Sequence, residues 1–209
     1  MMRKPPSAER IHTKRALFIL AGLLFLAGGG VRWAVGHHSR AAGEKDSLKV
    51  GSPAPTFVMR NIISGEAVFL RDFAGTTLRR ASRNRPKQVV VLSFWATWCE
   101  PCKKEIPLLM KMADAYAGKP VQFFLVNTLE QSKEPTHTED SVKAALQTRG
   151  YTLPCMVDAT GRVADSYRVR SLPVLVVIDK DGIIRRINRG YEEGFESGLR
   201  TLLNELAGG

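Results

Sequence analysis

The chain has 209 residues, 44% of them apolar, which suits one ordinary globular domain with additional segments and excludes a wholly disordered chain. Its net charge of +11 is unevenly spread: Arg3, Lys4, Arg10, Lys14 and Arg15 crowd the first fifteen residues against Glu9 alone, and residues 37–209 net only +6. No basic run is interleaved with aromatic residues on a readable element, so the composition argues against a nucleic-acid binder.

In chain order, the basic flank leads into ALFILAGLLFLAGGGV, residues 16–31, which carries no charge. Spanning a bilayer takes about 20 apolar residues, a length the run reaches only if Arg32 is included and its head snorkels to the interface. A buried core helix is the alternative reading. An uncharged run at the extreme N-terminus behind a basic flank has the pattern of an export signal. Ala34-Val35-Gly36 and Ser39-Arg40-Ala41 place small residues at signal-peptidase spacing, and no cysteine follows them to carry a lipid. Trp33 beside Arg32 suits an interfacial anchor. Residues 1–36 are therefore expected to be a signal anchor or signal peptide, with retention favoured. The basic flank then stays in the cytoplasm and everything after residue 36 lies across the membrane.

Residues 37–50, HHSRAAGEKDSLKV, are polar and aperiodic and read as a linker; a single domain is expected over 51–209. Pro53 and Pro55 precede an apolar alternation in GSPAPTFVMRN, which predicts a short edge strand. Glu66–Leu70 predicts a second. Residues 76–88 hold Arg79, Arg80, Arg83, Arg85 and Lys87 without an acid, either a solvated loop or a docking patch for an anionic lipid or acidic partner. VVVLSFW at 89–95 is apolar and rich in β-branched residues, the pattern of a strand buried on both faces. A helix is expected from Cys99 to Tyr116, with a kink at Pro107. A buried strand follows at 121–128, a helix at Glu139–Thr148, a strand at 153–158 and a helical turn at Arg162–Tyr167. Residues 172–190 read as a hairpin turning at Asp181-Gly182. Phe195–Leu206 spaces its apolar residues on one helical face. This order predicts an α/β fold with a mixed central β-sheet flanked by helices.

The chemistry concentrates in FWATWCEPCKKEIP, residues 94–107. A structural zinc site usually needs a second ligand pair, and only Cys155 remains, with histidines at 12, 37, 38 and 137. A static disulfide would close a very short loop and gain little. Redox catalysis fits the position better. Cys99 stands where the buried strand ends and a helix begins, so unpaired N–H groups and the helix dipole favour its thiolate. Cys102 lies one turn on, able to displace a mixed disulfide, and Pro101 occupies a first-turn position with no use for an N–H. Trp95 and Trp98 are expected to fence the pair from water. Cys155 alternates with apolar neighbours in LPCMVD and reads as core packing rather than a redox partner.

FWATWCEPCKKEIP resembles the active site of the membrane-tethered extracytoplasmic thioredoxins of the TlpA/ResA type. The likeness covers about 51–209, including the opening GSPAPTF and the downstream DATGRVADSYRVRSLPVLVVIDKDG. It implies a thioredoxin-like fold and a thiol–disulfide oxidoreductase, held by an N-terminal segment, that reduces protein disulfides outside the cytoplasm; some members keep apocytochrome c cysteines reduced. It further implies Cys99 as the attacking and Cys102 as the resolving cysteine, and a cis peptide at Leu172-Pro173 beside the sulfurs. Trp98, Glu100, Pro101 and Leu172 would then meet the substrate. Glu105 falls where the reductase members carry a carboxylate, whereas ordinary thioredoxins carry a strand Asp at the position of Ser93. That makes Glu105 the candidate proton carrier, its alternative being an exposed helix glutamate; Glu100 is expected to face solvent. No metal or organic cofactor is implied, and a membrane thiol donor would re-reduce the pair. Three rivals remain: a disulfide oxidase or isomerase; a thiol peroxidase, which usually wants a threonine where Ala96 stands; and a non-catalytic adaptor or metallochaperone.

Overall fold

The structure is a computed structural model that describes residues 48–79, 86–131 and 135–208. The expected anchor and nearly all of the linker lie outside the described residues, as do Arg80, Arg83 and Arg85 of the basic segment. Among the described residues no helix is long and apolar enough to cross a membrane.

The N-terminal part of the domain is a small antiparallel pair, β1 (Val58–Arg60) and β2 (Ala67–Phe69). β1 is the short strand the sequence predicts, β2 is one residue shorter at each end than Glu66–Leu70, and Pro53 ahead of them makes only an isolated bridge to Ile183. Leu48, assigned to the linker by its polar neighbours, already packs on the domain core.

The central sheet is built around β3 (Val89–Trp95), all seven residues of which are buried. The helix α1 (Glu100–Ala115) follows it, then β4 (Val121–Asn127), α2 (Pro135–Arg149), β5 (Cys155–Val157), α3 (Arg162–Ser166), β6 (Val174–Ile178), β7 (Ile184–Arg189) and α4 (Phe195–Gly208). The strand order is β5-β4-β3-β6-β7. β4 and β5 run parallel to β3, whereas β6 and β7 form the antiparallel hairpin. A mixed sheet flanked by helices is therefore what the sequence predicts. The helix α2 begins four residues earlier than expected, since Pro135 can open a first turn whose N–H groups have no intrahelical partner. The helix α1 runs on through Pro107, which is exposed.

The sheet has a core on each face, sorted by the period-two alternation of β3. Val89, Val91 and Trp95 join Cys99, Cys102, Ile106, Leu109 and Met112 of the α1 segment and Leu199 and Leu203 of α4. Val90, Leu92 and Phe94 face the other way, onto Phe57, Val68, Tyr167 and Val169. Ser93 belongs by parity to the first set, so the strand points a hydroxyl at the helix that carries the cysteines.

The β6–β7 turn has Gly182 at φ +82°, where an added Cβ would come within 3.0 Å of the Gly75 backbone. Asp179, 6% exposed, holds this turn: its Oδ1 accepts from the N–H groups of Asp181 and Ile183, both at 2.9 Å, and its Oδ2 from Arg185 Nε at 2.5 Å.

Candidate active site

Cys99 and Cys102 are joined in a disulfide, their Cα atoms 5.3 Å apart. Cys99 is the N-cap of α1, in extended backbone conformation, and its Sγ accepts from the Cys102 N–H at 3.3 Å. The sulfur thus takes the place of the side-chain oxygen that ordinarily caps a helix. When the bond is reduced, that N–H and the helix dipole favour a thiolate on Cys99 over one on Cys102. Pro101 sits in the first turn as expected. Both cysteines are buried, at 2% and 0% exposure.

The two tryptophans part company. Trp95 is 1% exposed, packs edge-on against Tyr151 and lies in the same buried core cluster as both cysteines. Trp98 does not: it is 47% exposed, because its indole Nε1 donates outward to the Leu129 carbonyl at 2.9 Å. Glu100 faces solvent as expected and pairs with Lys103, whose hydrogen bond, followed by its charge, lowers the Glu100 carboxyl below its ordinary range.

Glu105 is 2% exposed, which removes the surface-glutamate alternative. It lies three residues after Cys102 on the buried face of α1. Its Oε1 accepts from Ser93 Oγ at 2.7 Å. Burial, only partly offset by the Ser93 hydrogen bond, pushes the carboxyl up to about 7. Ser93, the one polar side chain of β3, is thus the group that holds the helix carboxylate.

The Leu172-Pro173 bond is cis, and the Pro173 carbonyl accepts from the Gly190 N–H at 2.8 Å. Leu172 is partly buried and packs against both core clusters. Cys155 is fully buried, and burial pushes its thiol up to about 12. That leaves it protonated and inert at neutral pH.

Sequence reasoning missed the brace behind the cysteines. The segment after β4 is bonded to the turn before α1: Thr97 N and Oγ1 donate to Glu130 at 2.6 and 2.8 Å, and Asn127 Nδ2 donates to Glu130 at 2.7 Å. Thr128 N donates to the Trp95 carbonyl at 2.9 Å, and Arg149 reaches the Thr97 carbonyl at 3.2 Å. An acid just past a buried strand was the available signal, and it does not by itself reveal a partner 33 residues away.

A reactive disulfide capping a helix at the end of a central strand, beside a cis-proline loop on a mixed sheet, defines a thioredoxin-like protein of thiol–disulfide exchange. Comparison with known proteins agrees. Residues 50–187 match the model of the AhpC/TSA family, and the chain belongs to that family. It is 30% identical over 177 residues to the thiol-disulfide oxidoreductase ResA of Bacillus subtilis, covering 85% of this chain and 87% of the relative. It is 32% identical over 172 residues to the thioredoxin-like protein YneN of the same organism, covering 82% and 89%. A crystal structure from Chlorobium tepidum, assigned as the thiol:disulfide interchange protein DsbE, superposes with a TM-score of 0.62 at 26% identity, covering 77% of this chain and 99% of that one. The protein is a thiol–disulfide oxidoreductase.

Proposed function

We propose that the protein is a reductant of protein disulfides that works outside the cytoplasm, held at the membrane by its N-terminal segment. The Cys99 thiolate attacks one sulfur of the substrate disulfide, forming a mixed disulfide and releasing the other substrate sulfur as a thiolate that takes up a proton. The Cys102 thiol then loses its proton and attacks Cys99 Sγ. The substrate cysteine leaves as a thiol, and Cys99–Cys102 carries the two electrons' worth of oxidation. Glu105 is the proton carrier for Cys102. The observation that carries this reading is a buried carboxyl, hydrogen-bonded to Ser93 and pushed up to about 7 by burial, three residues beyond the resolving cysteine among the buried residues of α1.

A protein substrate is supported by the thiol-disulfide oxidoreductase relatives and by the exposed Trp98 and Pro101 that flank Cys99 in the chain. Trp98, Glu100, Pro101, Leu172 and Pro173 form the contact surface in this reading. The location outside the cytoplasm is supported by the uncharged run 16–31 behind its basic flank. Cysteines of an apocytochrome c are the substrate that the family resemblance suggests, and a membrane thiol donor restores the dithiol.

Trapping tests the reading. Cys102→Ser in full-length protein leaves Cys99 unable to resolve, so mixed disulfides with envelope proteins are expected to accumulate. Their loss on adding Cys99→Ser confirms the attacking residue. Accumulation through Cys155 instead, or trapped partners that are all cytoplasmic, overturns the assignment.

A further inference from the structure

Arg149 closes α2 and is half-buried. A basic residue in the last turn of a helix ordinarily serves that helix's own carbonyls and dipole. This one reaches out of its helix: Nη2 donates to the Thr97 carbonyl, 52 residues away in the chain, at 3.2 Å. Its Nη1 is buried and has no hydrogen-bond partner among the described residues. Desolvating one nitrogen of a guanidinium without a partner is a cost that helix capping does not explain.

The contact lies close to the reactive sulfur. Thr97 precedes Cys99 by two residues, about 7 Å of extended chain, so the guanidinium lies about 10 Å from Cys99. Arg149 also acts on the residue after the cysteine. The Glu100 carboxyl is lowered by its hydrogen bond to Lys103, by the Lys103 charge, and further by the charge of Arg149. The other ionisable groups around the pair supply no comparable cation. Glu105 and Glu130 are acids, while Tyr151 and Cys155 are pushed up by burial and stay neutral at neutral pH. Lys103 is held by Glu100, Arg170 of the cis-proline loop by Asp165, and Lys104 is exposed.

We infer that Arg149 is a positioning residue for the exchange reaction: through Thr97 it fixes the turn that presents Cys99, and its charge favours the Cys99 thiolate. This rests on the reading of Cys99 as the attacking sulfur. The disulfide carries no charge, so a cation that stabilises the thiolate stabilises the reduced pair and raises its reduction potential. Glu130 grips the same residue with the opposite charge, accepting from Thr97 N and Oγ1. Removing either charge loosens the same turn, but the two removals act on the thiolate with opposite signs. A unit charge about 10 Å away, at an effective dielectric of about 20, changes the thiolate fraction roughly tenfold.

Thiolate absorbance against pH and the redox equilibrium with glutathione test this on the full-length protein. Arg149→Met is expected to raise the Cys99 titration midpoint by about one pH unit and to make the pair the stronger reductant. Arg149→Gln serves as a second neutral variant, and Arg149→Lys, which keeps the charge, is expected to restore most of the wild-type midpoint. Glu130→Gln is expected to move the midpoint the other way. An unmoved midpoint in the neutral variants overturns the inference, as does a rise in Arg149→Lys equal to that in Arg149→Met. A shift of the same sign in Glu130→Gln and Arg149→Met reduces Arg149 to a prop for the turn and overturns its electrostatic role. Hydroxyethyl disulfide tests the underlying reading separately: if the reduced wild type fails to reduce it while the midpoints shift as expected, the exchange reading falls and the charge effect stands.

Discussion

Glu105→Gln isolates the energetic consequence of burying a carboxyl next to a redox pair. Burial raises the Glu105 carboxyl from 4.5 to about 7 in the folded protein. Between these values the folded state holds a proton that the unfolded state has released, so stability falls as pH rises through the window. Below it both states are protonated and there is no penalty; above it both are ionised and the penalty is complete. A shift of this size corresponds to about 3 kcal/mol, at about 1.4 kcal/mol for each pKa unit. Glutamine preserves shape and can still accept from Ser93 Oγ, but it cannot ionise. Urea unfolding should be followed with the Cys99–Cys102 disulfide intact, so that neither sulfur titrates. At about pH 4 the variant and the wild type should agree closely, and at about pH 8 the variant should be the more stable by about 2–3 kcal/mol. A difference that stays within about 0.5 kcal/mol across that range would refute a buried, ionising Glu105.

Ser93→Ala removes the donor that pulls the Glu105 carboxyl down, so the midpoint of the same pH-dependent loss should move to the alkaline side of the wild-type value; an unmoved midpoint would mean the hydroxyl does not bear on the carboxylate. In the reduced protein, iodoacetamide at slightly acidic pH should label Cys99 first, since its sulfur caps α1, and peptide mass spectrometry showing Cys102 or Cys155 labelled first would reverse the roles. Asp179→Ala removes the acceptor of two part-buried backbone N–H groups at the β6–β7 turn and should cost about 1–3 kcal/mol in urea unfolding without changing Cys99 alkylation. A reporter active only in the cytoplasm, fused after Gly209, should be silent, and a strong signal would place the domain inside the cell.

Much of the fold was legible because its strands and helices announce themselves locally. VVVLSFW could be read as a doubly buried strand from its run of β-branched residues, and Asp181-Gly182 marked the hairpin turn without reference to the rest of the chain. Elements whose limits depend on a partner were less legible. β1 and β2 form a ladder of only three residue pairs, and α2 starts at Pro135 because a first turn tolerates the missing N–H. Trp95 and Trp98 looked alike in sequence, both flanking the cysteine pair. Their environments are opposite, since one lies within the strand and the other beyond its end, with its indole drawn to the Leu129 carbonyl.

The redox pair itself follows from the chain alone: C-x-x-C after a buried strand and before a helix places one sulfur at a helix N-terminus, whatever surrounds it. The alternation of β3 likewise puts Ser93 on the same face as Val91 and Trp95. Only the tertiary structure decided that α1 covers that face, and therefore that Ser93 meets Glu105 at 2.7 Å. The pKa of Glu105, the brace at Glu130 and the reach of Arg149 to Thr97 share this origin. Each depends on a contact between segments distant in sequence, and burial, which shifts a carboxyl, is a property of the packed whole rather than of any local run of residues.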